Sequence, residues 1–180
     1  ASGIDDRPVE PDREAKSIGH EETFGSNLTT PEELRTNLVR LADAVAARLR
    51  RAGVGARTLS LKVRFDDGFH TITRSTTTRE ATDQAEEIVS LVLPILDGID
   101  PSPGVRLLGV SGSNLGPAFH QLTLDEAATD VPPAPAGDTL DAIRERFGVD
   151  AIGPASAIRG GAVRNVRRGG QQWGPDRPMR

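Results

Sequence analysis

The sequence contains no cysteine. That excludes a disulfide framework and thiolate metal sites, and it fits an intracellular, cytoplasmic protein. No run approaches the ~20 apolar residues of a membrane-spanning helix. The polar start, 1–14, lacks the apolar stretch of a secretory signal. Asn27-Leu28-Thr29 has the form of a glycosylation acceptor, but without a secretory signal it is read as a capping loop. No G-x-x-x-x-G-K-S/T loop is present to cradle nucleotide phosphates. Asp66-Asp67 is a close acidic pair in a loop, and the Asp-Gly turn accounts for it. His20, His70 and His120 fall on unrelated elements and are read as ordinary surface or edge residues, so no metal set emerges.

What is present is enough for one domain with chain to spare. The 180 residues are 36% hydrophobic with a net charge of −4, and a domain of about 100–150 residues fits that length. Charge is unevenly spread. Residues 151–180 hold six arginines (159, 164, 167, 168, 177, 180) against one acid, Asp176. With Gly160-Gly161 and Gly169-Gly170 interleaved, 159–180 has no apolar set to bury and is expected to be disordered. Such a tail either pairs with phosphates non-specifically or stays solvated.

The middle of the chain is strongly patterned. Residues 16–24 form a short strand with Ile18 and Phe24 as apolar points. Thr30, Pro31 and Glu33 announce a helix through a capping box with proline in the first turn. Leu34, Leu38, Leu41, Val45 and Leu49 then make one apolar stripe, and Gly53 stops it. Leu59, Leu61, Val63 and Phe65 alternate with Ser60, Lys62 and Arg64, a strand with one dry and one basic face. Asp66-Asp67-Gly68 is a hairpin turn, and 69–76 is the return strand. A second helix is expected from about Arg79, with Ala81, Ala85, Ile88, Val89 and Val92 inward and Pro94 kinking or ending it. A final strand covers 105–115.

The order is β-α-β-β-α-β. Two right-handed crossovers sharing one sheet give an α+β domain, a four-stranded antiparallel sheet with both helices on one face. The other face is left open. Alternation puts Ser60, Lys62, Arg64, Thr71, Thr73 and Ser75 on it, with Arg106 and Ser111 from the last strand. The pattern is hydroxylic and cationic, with few aromatics and no carboxylate. Over 16–115 there are 12 Lys+Arg against 13 Asp+Glu, but the acids sit largely on the helices and turns (Glu32, Glu33, Asp43, Glu80, Asp83, Glu86, Glu87). The sheet side is therefore expected to be positive and the helix side negative. Lys and Arg release condensed counterions while hydroxyls bind phosphate oxygens, so a phosphate backbone is the natural partner. A merely solvated face of β-formers has the same composition.

Three motifs carry a family resemblance. Lys16-Ser17-Ile18-Gly19-His20-Glu21-Glu22-Thr23-Phe24 resembles the opening strand, K-S-[IV]-G-x-E-x-T-F, of the little-finger domain of Y-family translesion DNA polymerases. Leu61-Lys62-Val63-Arg64-Phe65-Asp66-Asp67-Gly68-Phe69 with Thr71-Ile72-Thr73-Arg74-Ser75 is similar to that family's central hairpin. Val105-Arg106-Leu107-Leu108-Gly109-Val110 resembles its closing strand. The resemblance covers roughly 7–124 and is closest to the bacterial polymerase IV (DinB) type; the tail is similar to that of actinobacterial members.

The resemblance implies an error-prone DNA polymerase, a nucleotidyltransferase of DNA repair, whose palm, fingers and thumb precede this chain. The palm carboxylates hold the magnesium ions that stabilise the attacking and leaving oxygens. No cofactor is expected in this chain, which alone is expected to be inactive. The matching template-primer contacts are Lys62, Arg64, Thr71, Thr73, Arg74, Arg106 and Ser111, with Ser17 and Gly19 offering backbone N–H groups. Leu107 and Ser111 stand where some relatives carry arginine, a departure that weakens the grip. Nothing has bidentate base-edge geometry, so binding is expected to be non-specific.

Gln121-Leu122-Thr123-Leu124 looks like the family's clamp-binding peptide, Q-L-x-L-F, with Asp125 departing from it. Gln121, Leu122 and Leu124 are the expected contacts to the sliding clamp. The same leucines could instead pack on Leu115 or Phe119. Residues 131–137 form a stiff proline-rich linker, and Asp138 caps a small helix through Phe147. The resulting division is 1–15, a linker from the thumb; 16–117, the DNA-binding domain; 118–126, the clamp peptide; 127–137, the linker; 138–158, the helical segment; and 159–180, the basic tail. Two readings compete. An RNA- or other ligand-binding module of ferredoxin-like topology requires aromatics on the open sheet, where Phe65 and Phe69 merely flank the turn. An independent small enzyme requires convergent catalytic groups that the sequence does not offer.

Overall fold

The computed structural model of the chain describes residues 15–118, 136–159, 162–163 and 171–173. The elements are β1 (Ser17–Leu28), α1 (Pro31–Ala52), β2 (Gly55–Phe65), β3 (Thr71–Thr82), α2 (Ala85–Asp97), β4 (Val105–Gly116) and α3 (Ala136–Phe147), followed by short strands β5 (Ile158–Arg159), β6 (Ala162–Val163) and β7 (Gln171–Trp173). The main sheet is antiparallel with the order β3-β2-β4-β1-β7. Helices α1 and α2 pack against each other and against the sheet.

Helix α1 follows its local signals. The Glu33 N–H donates to Thr30 Oγ1 at 3.2 Å, and the Thr30 N–H donates back to Glu33 Oε2 at 3.1 Å. At the other end Gly53 adopts φ 70°, which costs a residue without Cβ little. The Val54 N–H then closes on the Leu49 carbonyl at 3.1 Å. The stripe Leu34, Leu38, Leu41, Val45 and Leu49 is at most 1% exposed. Opposite it lie Ile18, Leu59, Leu61, Val63, Leu108 and Val110, with Ile88, Val92 and Leu96 from α2. Each such side chain contributes about 1.5–3 kcal/mol by leaving water.

Helix α2 begins at Ala85, not near Arg79. The segment 76–82 continues β3 instead, because its β-branched threonines stay in the ladder as far as Thr82 opposite Ala56. Thr82 Oγ1 then accepts the Gln84 N–H at 3.1 Å and turns the chain. Pro94 neither ends nor displaces the helix, which runs on to Asp97. Pro94 and Ser90, four residues before it, are both exposed, so water can satisfy the carbonyl that the proline leaves without a donor. The hairpin turn is a short 3-10 turn over Asp67–Phe69 with Gly68 at φ 62°. The Phe65 N–H meets the His70 carbonyl at 2.9 Å beneath it.

Two features go beyond the expected four-stranded domain. The strand β7 adds to the β1 edge, Gly19 opposite Trp173 and Glu21 opposite Gln171, inside the segment 159–180 read as disordered. Helix α3 starts two residues before Asp138 and docks on α1. Arg144 grips Asp43 with Nη2–Oδ2 at 2.7 Å and Nη1–Oδ1 at 3.2 Å, and Arg50 Nε donates to Asp141 Oδ2 at 2.7 Å. Gly137 lets the N-terminus of α3 close onto Arg50, because a Cβ there would stand 2.8 Å from the guanidinium carbon.

Candidate nucleic-acid interface

On β2 the apolar set Leu59, Leu61, Val63 and Phe65 is at most 5% exposed and faces the helices, so Ser60, Lys62 and Arg64 face the other way. Directly opposite residues of antiparallel strands share a face. The registers therefore lay out the open face in rows across β3, β2, β4 and β1: Ser75, Ser60, Ser111, Gly19; then Thr73, Lys62, Gly109, Glu21; then Thr71, Arg64, Leu107, Thr23. Thr77, Thr58, Ser113 and Ser17 extend the set. Arg64 Nε donates to Thr71 Oγ1 at 3.0 Å, and the Thr58 and Thr77 hydroxyls meet at 3.0 Å. Hydroxyls thus buttress one another and one guanidinium, leaving an array of donors at strand spacing.

The face does carry a carboxylate, contrary to the sequence reading. Glu21 stands on it, its side chain 16% exposed, and accepts a 2.9 Å ion pair from Lys62 Nζ. The two residues belong to β1 and β2, which are not neighbours in the sheet; β4 runs between them. Gly109 makes the contact possible, since a Cβ there would lie 2.8 Å from Glu21 Cβ. Strand alternation from Ser17 and Gly19 already points to Glu21, but nothing local pairs it with Lys62.

Other expected contacts divide. Lys62, Arg64, Thr71, Thr73 and Ser111 come together on the open face with Ser17 and Gly19. Gly19 and the two residues after it are flanked by β4 on one side and β7 on the other, so this stretch of β1 is an internal strand with its backbone groups directed to neighbours. Arg74 is opposite Leu61 and therefore lies on the helix side of the edge strand, where its Nη1 donates to the Thr73 carbonyl at 3.1 Å. Arg106 sits where the β2–β4 register slips, between core Val105 and open-face Leu107. It lies 3.7 Å from Asp66, whose other oxygen accepts from Asn27 Nδ2 at 2.9 Å. Gln121, Leu122 and Leu124 lie outside the described residues.

The helix side is not uniformly negative. Helix α1 carries five arginines (Arg35, Arg40, Arg48, Arg50, Arg51) against three acids (Glu32, Glu33, Asp43), whereas α2 carries only acids. Several of those arginines are engaged internally: Arg40 with Glu22 at 3.1 Å, Arg48 with the Gly19 carbonyl at 2.5 Å and Arg35 with Asp97 at 3.0 Å. His20 is a buried residue rather than a surface one, 3% exposed beneath α1. Burial, with help from Arg48 and Arg40, lowers its pKa to about 4, against an opposing pull from Glu21. His70 is exposed and stacks on Phe65, centroids 5.9 Å apart. His120 lies outside the described residues. Among the described residues no three His, Asp or Glu side chains converge on a possible metal position.

On strands β1 to β4 the open-face rows hold no aromatic residue to serve as the stacking platform an RNA-recognition module requires; the register of β7 sets Trp173 opposite Gly19. Phe65 is 5% exposed in the helix-side core.

Comparison with known proteins agrees with the order of the motifs. Residues 15–124 match the impB/mucB/samB family C-terminal domain. The chain is 37% identical over 171 residues to a DNA polymerase IV of Desulfatibacillum aliphaticivorans, covering 93% of this chain and 43% of that protein. It is 45% identical over 116 residues to that of Alkalilimnicola ehrlichii, covering 64% and 32%, and 39% identical over 132 residues to that of Streptomyces coelicolor, covering 73% and 27%. The chain thus spans less than half the length of these curated relatives. A chain in a solved complex of beta-clamp processivity factor and the little finger domain of PolIV is similar at TM-score 0.48 and 22% identity, over 60% of this chain and 97% of that one, a likeness too loose to carry weight. With the match spanning every element from β1 to β4, the chain belongs to the impB/mucB/samB family, and residues 15–124 are its C-terminal domain.

Proposed function

We propose that this chain is the DNA-gripping, C-terminal part of a translesion DNA polymerase of the polymerase IV type, acting on the cytoplasmic chromosome. Its open sheet face holds template-primer phosphates without regard to sequence. The observation that carries the reading is the in-register array of Lys62 with Thr73, Arg64 with Thr71, and Ser60 with Ser75 and Ser111. Cations supply attraction through counterion release, and hydroxyls at strand spacing supply hydrogen bonds to phosphate oxygens. Ser and Thr hydroxyls, which make up most of the array, both donate and accept and so favour no particular base. Nucleotide transfer and its magnesium ions belong to palm carboxylates outside this chain. Beyond β4, the Gln121, Leu122 and Leu124 peptide tethers the polymerase to the sliding clamp.

The test is fluorescence anisotropy with primer-template DNA of two unrelated sequences across a salt series. Affinity should be equal for both sequences, and log K should fall linearly with log salt. Arg64→Ala should reduce the slope by about one unit, the share of a single phosphate contact. An affinity indifferent to salt, or one that distinguishes the sequences, would overturn the proposal.

A further inference from the structure

We propose that Glu21 is a built-in competitor for the phosphates that Lys62 would otherwise hold, so that the grip of the open face is set low by the domain itself. The inference rests on the reading of that face as the DNA surface. Its grounds are geometric. Lys62 Nζ is 2.9 Å from Glu21 Oε2, and the carboxylate side chain is only 16% exposed while the lysine is 35% exposed. The carboxylate lies in the same row as Lys62 and Thr73, under the path a phosphate backbone would take.

Closeness of this kind is permitted by one residue. Gly109 separates the two side chains, and any Cβ there would meet Glu21 at 2.8 Å. A phosphate arriving at Lys62 must therefore either displace Glu21 from the ammonium group or share it. In both cases a poorly hydrated carboxylate remains beside the phosphate, and its repulsion offsets much of the attraction Lys62 supplies. The pair is close to neutral when free, so Lys62 has few condensed counterions to release from DNA. Glu22, the adjacent acid, cannot act this way. It points to the helix side, where it pairs with Arg40 at 3.1 Å.

Glu21→Gln keeps the shape and leaves Lys62 its full charge. In this 180-residue chain it should raise affinity for primer-template DNA roughly three- to tenfold at 50 mM salt and steepen the salt slope by about one unit, so that the gain shrinks about fourfold by 200 mM. Glu22→Gln makes the same change in net charge on the opposite face and should leave affinity within about twofold. Thermal unfolding and an amide NMR fingerprint of each variant establish that the domain is intact. Equal or weaker binding by Glu21→Gln overturns the proposal, as does an equal gain from Glu22→Gln, which would reduce the effect to net charge. Wild-type protein that fails to bind DNA in a salt-dependent manner overturns the reading of the face instead, and so the two failures are distinguishable.

Discussion

Removing the charge of Arg144 should release helix α3 while leaving the domain folded. In Arg144→Met the guanidinium that holds Asp43 at 2.7 and 3.2 Å is gone, and so is the 3.1 Å bond from Nε to the Ile152 carbonyl. Both side chains of the pair are about one-tenth exposed, at 11% and 10%. If everything else stayed in place, Asp43 would be left as an unpaired carboxylate in a dry contact, at a cost of about 3–5 kcal/mol. A cheaper route exists. Helix α3 has 12 residues, too few to be stable alone in water, and undocking it lets water reach Asp43. The remaining Arg50–Asp141 pair is a single contact with its acid 30% exposed, insufficient to hold the helix. Hydrogen exchange read by mass spectrometry should therefore show loss of protection over 136–147, with α1 and the sheet unchanged. The main thermal transition should fall by much less than the full penalty implies, and Asp43→Asn placed on top of Arg144→Met should change little further. Unaltered protection of α3 would show that the ion pair does not hold it. Joint loss of protection in α3, α1 and the sheet would show that they form one cooperative unit.

The leucines at 122 and 124 give a second outcome: Leu122→Ala/Leu124→Ala should abolish sliding-clamp binding, measured by surface plasmon resonance, at an unchanged melting temperature. Earlier melting with clamp binding retained would make them core residues. His20 gives a third. Its folded pKa of about 4 lies below the unfolded value of 6.5, so the unfolded chain binds the extra proton between those values. Stability contributed by neutral His20 is thus full above pH 6.5 and is lost as pH falls toward 4, by a few kcal/mol at most. Urea unfolding at pH 7 and pH 4.5 checks this, and His20→Asn should flatten that part of the pH profile.

Signals that act within a few residues were legible in the sequence, and those that cross the sheet were not. Thr30, Pro31, Glu33 and Gly53 delimit α1 because capping is a local hydrogen-bonding problem. The start of α2 was misplaced because Thr82 is held opposite Ala56 by a pairing between distant segments, which outweighs local helical pattern. Lys62 and Arg64 were assignable from period-two alternation alone, whereas Arg74, expected there from the family resemblance, follows the same alternation to the other side, Thr73 occupying the open face. The Glu21–Lys62 contact spans 41 positions and a third strand. Asp43 and Arg144 are 101 positions apart. The strand Gln171–Trp173 was missed because it has no apolar alternation of its own and depends on the β1 edge to exist.

The sheet order has a consequence for how this domain comes to be folded. Strand β4, the last of the four long strands in the chain, lies between β1 and β2. Until it arrives, β1 and the β2–β3 hairpin share no edge, and the core side chains of β1 and β2 cannot be brought side by side. Chain emerging from the ribosome must therefore wait for residues 105–116 before it can close, since Ser17 pairs with Ser113 and Leu59 with Gly112. Such distant pairings incur their loop-closure entropy before any contact compensates it, which makes folding slower than that of helical bundles. Any chain cut short of β4 leaves β1 without its neighbour in the sheet and the core open between β1 and β2. The closing strand is thus the step at which the domain becomes a cooperative unit during synthesis.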